Sequence, residues 1–449
     1  MNKEIFRLYD IRGEYPSLIN EKEVFEIGFK LTSIFKRGAK IVIGRDSRLS
    51  SPNLSKALED GLNSAGFNVV DVGIITTPML DFAVDFFKAE GGVVVTASHN
   101  PKNDNGLGVV DSSGLFIGRE DLFLKMSSLK NNSKTKLKKT KNKTIRKNID
   151  LKYAEELSRY FDVSKKTKAV IDCSNGSASP VINKIKFPKN VEAIIINDNL
   201  DGNFPAHGPD PTQKIAQKYI ADAVLKYKAD IGIVFDGDGD RALFADGKGK
   251  VIRPENIWRI LAQESDNKKQ PVVFTVLCRY MMGLIKNSSE ISDEFDFIET
   301  RVGHLFMKDV CRKNKAFAGV ESSMHYYFPE DNFSGSAILA MIKVVGAVSK
   351  LPYDFYQLLD MLPKIFVSQE INFKFDLKKL SESYSKIKKI FSKKGNKIYF
   401  IDGISVLSSD WWFNIRPSNT EDLVRLNIEA KENKKLEEIK KHLTKILSK

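Results

Sequence analysis

Residues 39–96 begin Ala39-Lys40-Ile41-Val42-Ile43-Gly44 and end Gly92-Val93-Val94-Val95-Thr96, and between these β-branched runs the spacing changes period. Lys40–Ile43 reads as a strand, Pro52–Ala65 as a helix, Asn68–Val72 as a strand, Pro78–Phe87 as a helix and Gly92–Thr96 as a strand. Strand, helix, strand in succession forms βαβ units, which build a mostly parallel sheet covered by helices. The same rhythm restarts with strands at Lys168–Asp172, Val191–Ile196 and Asp230–Phe235. It restarts again at Pro271–Val276 and Phe297–Thr300, before a long helix from Ser334 to about Lys350. The last part differs. Strand patterns at Glu370–Phe375, Lys397–Ile401, Trp411–Ile415 and Leu423–Glu429 surround one helix and precede another, Asn433–Leu447. Segregated strands and helices mark an α+β unit. The expectation is three similar α/β domains with mixed or parallel sheets, at 1–150, 151–250 and 251–365, followed by a C-terminal α+β domain at 366–449.

Composition agrees with several packed cores. The chain has 449 residues, too many for one core, and 42% of them are apolar, enough to fill several. No run reaches the ~20 apolar residues that span a bilayer. The nearest, Ala337–Val348, is interrupted by Lys343 and reads as a buried helix. Met1–Gly13 has no apolar signal segment, so the expected compartment is the cytoplasm. Cys173, Cys278 and Cys311 show no paired spacing, which argues against a disulfide framework or a zinc site. The net charge of +14 invites a nucleic-acid reading, but much of the excess sits in Lys125–Lys152, which has almost no aromatic side chains for stacking. That run reads as a solvated helix or linker, and the positive field would draw in dianionic substrates. No nucleic-acid or membrane partner is expected.

Four loops carry chemistry, and ligands in open α/β sheets gather at the carboxyl ends of strands. Thr96-Ala97-Ser98-His99-Asn100-Pro101 follows the strand Gly92–Val95 and holds a hydroxyl in an exposed polar turn, with Pro101 stiffening the exit. Alone it suits a nucleophile or phosphate carrier, and equally an ordinary turn. Asp236-Gly237-Asp238-Gly239-Asp240-Arg241 follows the strand Ile231–Phe235. Three carboxylates this close repel one another and raise their pKa values, so a hard cation is implied, with Mg²⁺ the best match. An EF-hand is excluded, because its sixth position would be Arg241 and its twelfth Gly247. Glu321-Ser322-Ser323-Met324-His325 offers groups that hydrogen bond sugar hydroxyls. Arg416-Pro417-Ser418-Asn419-Thr420-Glu421, with Arg425 beyond it, suits a dianionic phosphate, since guanidinium binds two oxygens at once. Each of these last two is also compatible with a simple polar loop.

Taken in order, the loops resemble the phosphomannomutase/phosphoglucomutase, or α-D-phosphohexomutase, family over essentially the whole chain. Phe6-Arg7-Leu8-Tyr9-Asp10-Ile11-Arg12-Gly13 is similar to its opening signature, Thr96–Pro101 to its phosphoserine loop, Asp236–Arg241 to its metal loop and Arg416–Thr420 to its phosphate loop. Gly44-Arg45-Asp46-Ser47-Arg48 and Asp201-Gly202-Asn203-Phe204-Pro205 with Pro209-Asp210-Pro211 also match. The resemblance implies that Ser98 carries the phosphoryl group and joins Asp236, Asp238 and Asp240 in binding Mg²⁺. It implies that Arg12 and Arg241 steady the transferring group and that His99 shapes the loop. Glu321, Ser323, His325 and His304 would read the sugar, and Arg416, Ser418, Asn419, Thr420 and Arg425 would hold the distal phosphate. The implied activity interconverts hexose 6-phosphate and hexose 1-phosphate, of mannose or glucose, through a 1,6-bisphosphate, in a monomer or weak homodimer. A phosphoglucosamine mutase and a catalytically silent sugar-phosphate-binding relative are the alternatives. The pattern departs at Val320 and Met324, where the family has glycines, and at Gly108 and Leu277, where it has lysines. Lys102, four residues beyond Ser98, is the candidate replacement amine.

Overall fold

The computed structural model describes residues 2–129, 144–263, 270–288, 295–360, 364–392, 395–418 and 423–448. The centre of the basic run, 130–143, therefore lies outside the described residues. The chain divides into two compact units, one of Met1–Glu264 with Ser323–Asp360 and one of Ser265–Ser322 with Met361–Lys449.

The first unit holds two sheets. Strands β1 (Ile11–Glu14), β2 (Lys40–Arg45), β3 (Asn68–Ile74), β4 (Gly91–Val95), β5 (Asp104–Asp111) and β6 (Ile145–Arg146) lie in the order β1-β5-β4-β2-β3-β6. β2 runs parallel to β3 and β4, whereas β5 runs antiparallel to β4 and β1. β4 is buried along its whole length, with Val93 and Val95 in the core shared with helices α1 (Glu21–Lys30) and α2 (Ser51–Ala65). Those helices approach closely: a Cβ on Gly61 would stand 2.3 Å from the Phe25 carbonyl oxygen. Helix α3 (Thr77–Phe86) covers the other side of β4 and starts at a Thr76 cap with Pro78 in its first turn.

The second sheet contains β7 (Thr167–Asp172), β8 (Val191–Ile196), β9 (Ile231–Phe235), β10 (Ala242–Asp246) and β11 (Val251–Ile252), ordered β11-β10-β9-β7-β8. β7 is parallel to β8 and β9, and β10 returns antiparallel beside β9. Helix Ala337–Lys350 packs on β7, β9 and β10 and buries nearly every side chain. Lys343, which interrupts its apolar run, turns out to Glu330 at 2.6 Å. No described helix is long and apolar enough to cross a membrane.

In the second unit Val272–Thr275 pairs in parallel with Phe297–Thr300 and Ala318–Val320. Lys397–Tyr399, Ile404–Leu407, Trp411–Pro417 and Leu423–Ala430 form an antiparallel ladder, with Ile371–Lys374 paired to the last strand. Helices Leu380–Phe391 and Asn433–Leu447 bury Ile387, Leu436, Ile439 and Leu443 against it. The class is the expected one, mixed α/β sheets and then α+β. Strands β1, β5, β10 and Ile404–Leu407 are additions to the sequence reading. β5 carries Asp104, Asn105, Gly106 and Gly108, poor strand formers that the sheet recruits through pairing on both edges.

Candidate functional site

The turns after β4 and β9 meet. Ser98 takes a left-handed backbone, φ +50°, and its amide donates to Thr96 Oγ1 at 2.9 Å. Its Oγ donates to Asp236 Oδ2 at 2.9 Å and lies 3.2 Å from His99 Nδ1. Ser98 is 6% exposed, so the expectation of an exposed loop is corrected: the acidic turn covers the hydroxyl. Asp238 Oδ2 accepts from Thr77 Oγ1 at 2.5 Å and Thr96 Oγ1 at 3.2 Å, and the Thr77 amide donates to the Asp238 carbonyl. The sequence reading has Thr96 only as the first residue of the serine loop and omits Thr77, although Thr76-Thr77-Pro78 has the form of a helix start.

Three carboxylates share one buried place. Atoms of Asp236, Asp238 and Asp240 lie within 4.8 Å of one another. Burial, and then the neighbouring Asp240 and Asp238, push the Asp236 carboxyl well above its ordinary value. Burial and Asp240 push Asp238 up to about 6. Burial acts in the same sense on Asp240, but His325 and Arg241 outweigh it and hold that carboxyl low. His325 Nε2 is 3.4 Å from Asp240 Oδ1, with its Nδ1 2.9 Å from Ser323 Oγ. Arg241 Nε stands 3.9 Å from Asp236 and 4.0 Å from Asp240. Arg12 donates to Asn100 Oδ1 at 2.7 Å and pairs with Asp10 at 2.5 Å. Burial, with Arg241 and Arg12 nearby, pushes the His99 imidazole well below its usual value, so it is neutral at pH 7.

The first unit thus brings together Ser98, His99, Arg12, Arg241, the three aspartates, Ser323 and His325. Lys102 is not among them. The turn at Pro101 directs its ammonium to Asn203 Oδ1, 3.4 Å away, on a groove of about 270 Å³ lined by Tyr15, Leu49 and Asn53. Gly108, on β5, pairs with Val94 of β4, and a Cβ on it would stand 2.7 Å from the Phe116 ring. Met324, at a family glycine position, has φ +72°, and its carbonyl accepts from the Ala242 amide. The left-handed backbone explains why glycine suits that position.

In the second unit Gly303, φ +134°, precedes the helix His304–Lys313, and its amide donates to the buried Glu321 carboxylate at 3.3 Å. Arg416 and Arg425 face each other across paired strands and share Glu370, at 3.4 and 3.2 Å. Like charges directly opposite destabilise a sheet, and the shared carboxylate offsets this. The Ser418 amide donates to the Leu423 carbonyl at 2.8 Å. Asn419 and Thr420 lie outside the described residues.

Family models of phosphoglucomutase/phosphomannomutase match domain by domain along the chain: alpha/beta/alpha domain I at 3–134, domain II at 151–249, domain III at 254–366 and the C-terminal domain at 370–446. The chain belongs to the phosphoglucomutase/phosphomannomutase family. It is 33% identical to the phosphohexose mutases of Xanthomonas campestris pv. campestris strain B100 over 96% of both chains. It is also 33% identical to a phosphomannomutase of Methanocaldococcus jannaschii over 98% of both. Among solved structures, a family protein from Burkholderia thailandensis superposes with a TM-score of 0.83 at 24% identity, covering 100% of this chain and 97% of that one, which shows the shared fold.

The acidic turn fits a divalent cation on its own geometry. Asp238 Oδ1 is buried and accepts no hydrogen bond from any described residue, as expected of an oxygen kept for a metal. In the metal-free protein the raised Asp238 pKa, about 6, means the folded state binds more protons than the unfolded chain, where an aspartate titrates near 3.9. Stability present below pH ~4 is therefore lost as pH rises through ~6. The metal-free protein should lose more melting temperature between pH 4.5 and 7 than Asp238→Asn does, and a divalent cation should raise the melting temperature more at pH 7.5 than at pH 5. Identical pH profiles for the two proteins in a thermal-shift series would contradict this account.

Proposed function

We propose that this protein is a phosphohexomutase that interconverts hexose 1-phosphate and hexose 6-phosphate, of mannose or glucose, through a phosphorylated Ser98. The observation that carries the reading is the Ser98 hydroxyl held 2.9 Å from Asp236 inside a buried carboxylate triad, with Arg241 beside it. Ser98 with Asp236, Asp238 and Asp240 would hold Mg²⁺, which when bound neutralises charge on the transferring phosphoryl oxygens. The phosphoryl group passes from Ser98 to a free sugar hydroxyl as the Oγ–P bond breaks and the sugar O–P bond forms, giving a hexose 1,6-bisphosphate. In the reverse transfer the bond from the sugar to its other phosphate breaks and the Oγ–P bond re-forms, which restores the phosphorylated Ser98 and releases the isomeric hexose phosphate. Arg12 and Arg241 supply positive charge to the group in transit. Neutral His99 would donate its Nδ1–H to Ser98 Oγ without adding charge beside the phosphoserine.

The sugar hydroxyl must lose a proton, and neither Gly108 nor Leu277 supplies an amine, while Lys102 turns away. We assign this role to His325, whose imidazole is oriented by Ser323 and by Asp240, which stabilises the protonated ring. Arg416 and Arg425 would bind the non-reacting phosphate in place of Glu370. A silent relative is the second reading, favoured by the Phe116 ring that fills the space beside Gly108.

Four outcomes are expected. Purified protein should show a species about 80 Da heavier, the mass of one phosphoryl group, mapping to Ser98. In a coupled assay it should turn over mannose 1-phosphate or glucose 1-phosphate faster than glucosamine 1-phosphate, and Ser98→Ala should abolish this; an inactive parent on all three sugars would establish the silent reading. His325→Gln should lower kcat ~10²–10⁴-fold with metal-induced stabilisation retained; parental kcat would assign the proton elsewhere. Arg416→Ala should raise KM at least ~10-fold, with kcat falling less, because a charge-assisted bond is removed. An unaltered KM would take Arg416 out of the phosphate grip.

A further inference from the structure

Arg48 belongs to the Gly44–Arg48 segment, which matches the family pattern but was given no task. Its side chain is fully buried, and every N–H of its guanidinium is used. Nε donates to Asp46 Oδ2 at 3.0 Å. One terminal nitrogen donates to the carbonyls of Pro101 at 2.6 Å and Asp104 at 3.0 Å. The other donates to the carbonyls of Ser98 and Asn100, both at 2.7 Å. The acceptors thus span the turn that carries Ser98. Four carbonyl dipoles converge on one point, an arrangement that repels itself unless a cation with planar, forked donors sits at the focus.

The fork is itself fixed. Asp46 Oδ1 accepts from the Arg48 amide at 3.1 Å and from the Ser51 hydroxyl, and Asn105 Nδ2 donates to Ser50 and Ser51 at 2.8 and 2.9 Å. The Phe204 ring lies 5.4 Å from the guanidinium carbon. A Cβ on Gly237 would come within 2.7 Å of the Ser98 carbonyl oxygen and within 3.5 Å of Phe204, so the acidic turn presses on the same carbonyl that Arg48 grips. Ser98 is left with the left-handed φ of +50°, an unfavourable conformation for a residue with a Cβ. Something must hold it there, and Arg48 binds its carbonyl.

We propose that Arg48 is a positioning residue for phosphoryl transfer: its guanidinium gathers the carbonyls of Ser98, Asn100, Pro101 and Asp104 and so aims the Ser98 Oγ at the acidic triad. Arg48 touches no reacting atom. This inference rests on the phosphoserine reading for its kinetic consequence, while its effect on the order of the turn stands apart from any activity.

The test compares the parent with Arg48→Lys and Arg48→Met in the full chain. Kinetics with the sugar phosphate that the parent turns over are paired with hydrogen–deuterium exchange of the amides at 97–106. A misplacement of about 1 Å in a reacting group costs ~10²-fold. Arg48→Met should therefore lose ~10²-fold in kcat with KM within about threefold of the parent, and Arg48→Lys, with three donors for five acceptors, should fall between the two. Exchange should quicken at 97–106 in both variants and stay parental in the C-terminal ladder at 397–430. Parental kcat in either variant overturns the proposal, as does a loss of kcat with parental exchange in the turn. Global unfolding of both variants, read as faster exchange throughout the first unit, also overturns it by making Arg48 a determinant of the whole unit. If the parent turns over no sugar phosphate, the mutase reading fails by itself, and exchange at 97–106 alone decides whether Arg48 orders the turn.

Discussion

Three carboxylates crowded into one buried turn are the constraint around which the first unit is arranged. Asp236 and Asp238 are almost fully buried, and burial together with the neighbouring Asp240 raises the cost of ionising each of them. Such a turn persists only if the surroundings return what water would have supplied. Thr77 and Thr96 donate hydroxyls to Asp238, backbone amides of Asp240 and Arg241 donate to Asp236, and Arg241 brings positive charge and His325 a ring nitrogen to Asp240. Thr77, Thr96 and His325 come from three separate places in the chain, so the turn after β9 is tied to α3, to the end of β4 and to the segment after residue 323. Asp238 Oδ1 and Asp240 Oδ1, which accept no hydrogen bond from a described residue, are what a bound cation would complete.

The sheets serve this turn by their direction. β4 and β9 are interior parallel strands, and both deliver their carboxyl ends to the place where Ser98 and Asp236 meet. Each then reverses into an antiparallel neighbour, β5 or β10, so the functional residues sit in short connections between rigid strands. Glycines appear where these connections press together: a Cβ on Gly176 would stand 2.8 Å from the Gly237 carbonyl oxygen, and one on Gly239 would stand 2.7 Å from Thr76. The second unit meets a comparable like-charge problem with the opposite sign. Its two arginines face each other across adjacent strands, and Glu370 pairs with both. Both arrangements are electrostatically costly for a purely structural role, a pattern typical of sites that bind charged ligands.

Much of the fold was legible because β-branched runs and helical periodicity leave a strong trace. Val191–Ile196, Phe297–Thr300 and the helix Asn433–Leu447 coincide with their sequence readings, and Lys40–Ile43 and Asn68–Val72 were extended by only a few residues. The elements that escaped, β1 and β5 above all, owe their conformation to pairing partners distant in sequence, such as Arg12 with Gly106. The acidic turn was legible because alternating carboxylates and glycines have few other physical explanations. The role of Lys102 was not, since a loop lysine has the same letters whichever way Pro101 turns it.

The sequence by itself determined the α/β and α+β classes, the likeness to a family in motif order, and the identity of the acidic turn. These depend on local periodicity and on residue types that repel or bind one another over a few positions. Only the tertiary structure decided that Ser98 is covered, that Asp238 is held by Thr77 and Thr96, and that the Phe116 ring stands beside Gly108. It alone showed Arg48 at the focus of carbonyls some 50 residues further along the chain. Such contacts join residues far apart in sequence, and hydrogen bonds to backbone carbonyls leave no mark on the identity of the residues that accept them.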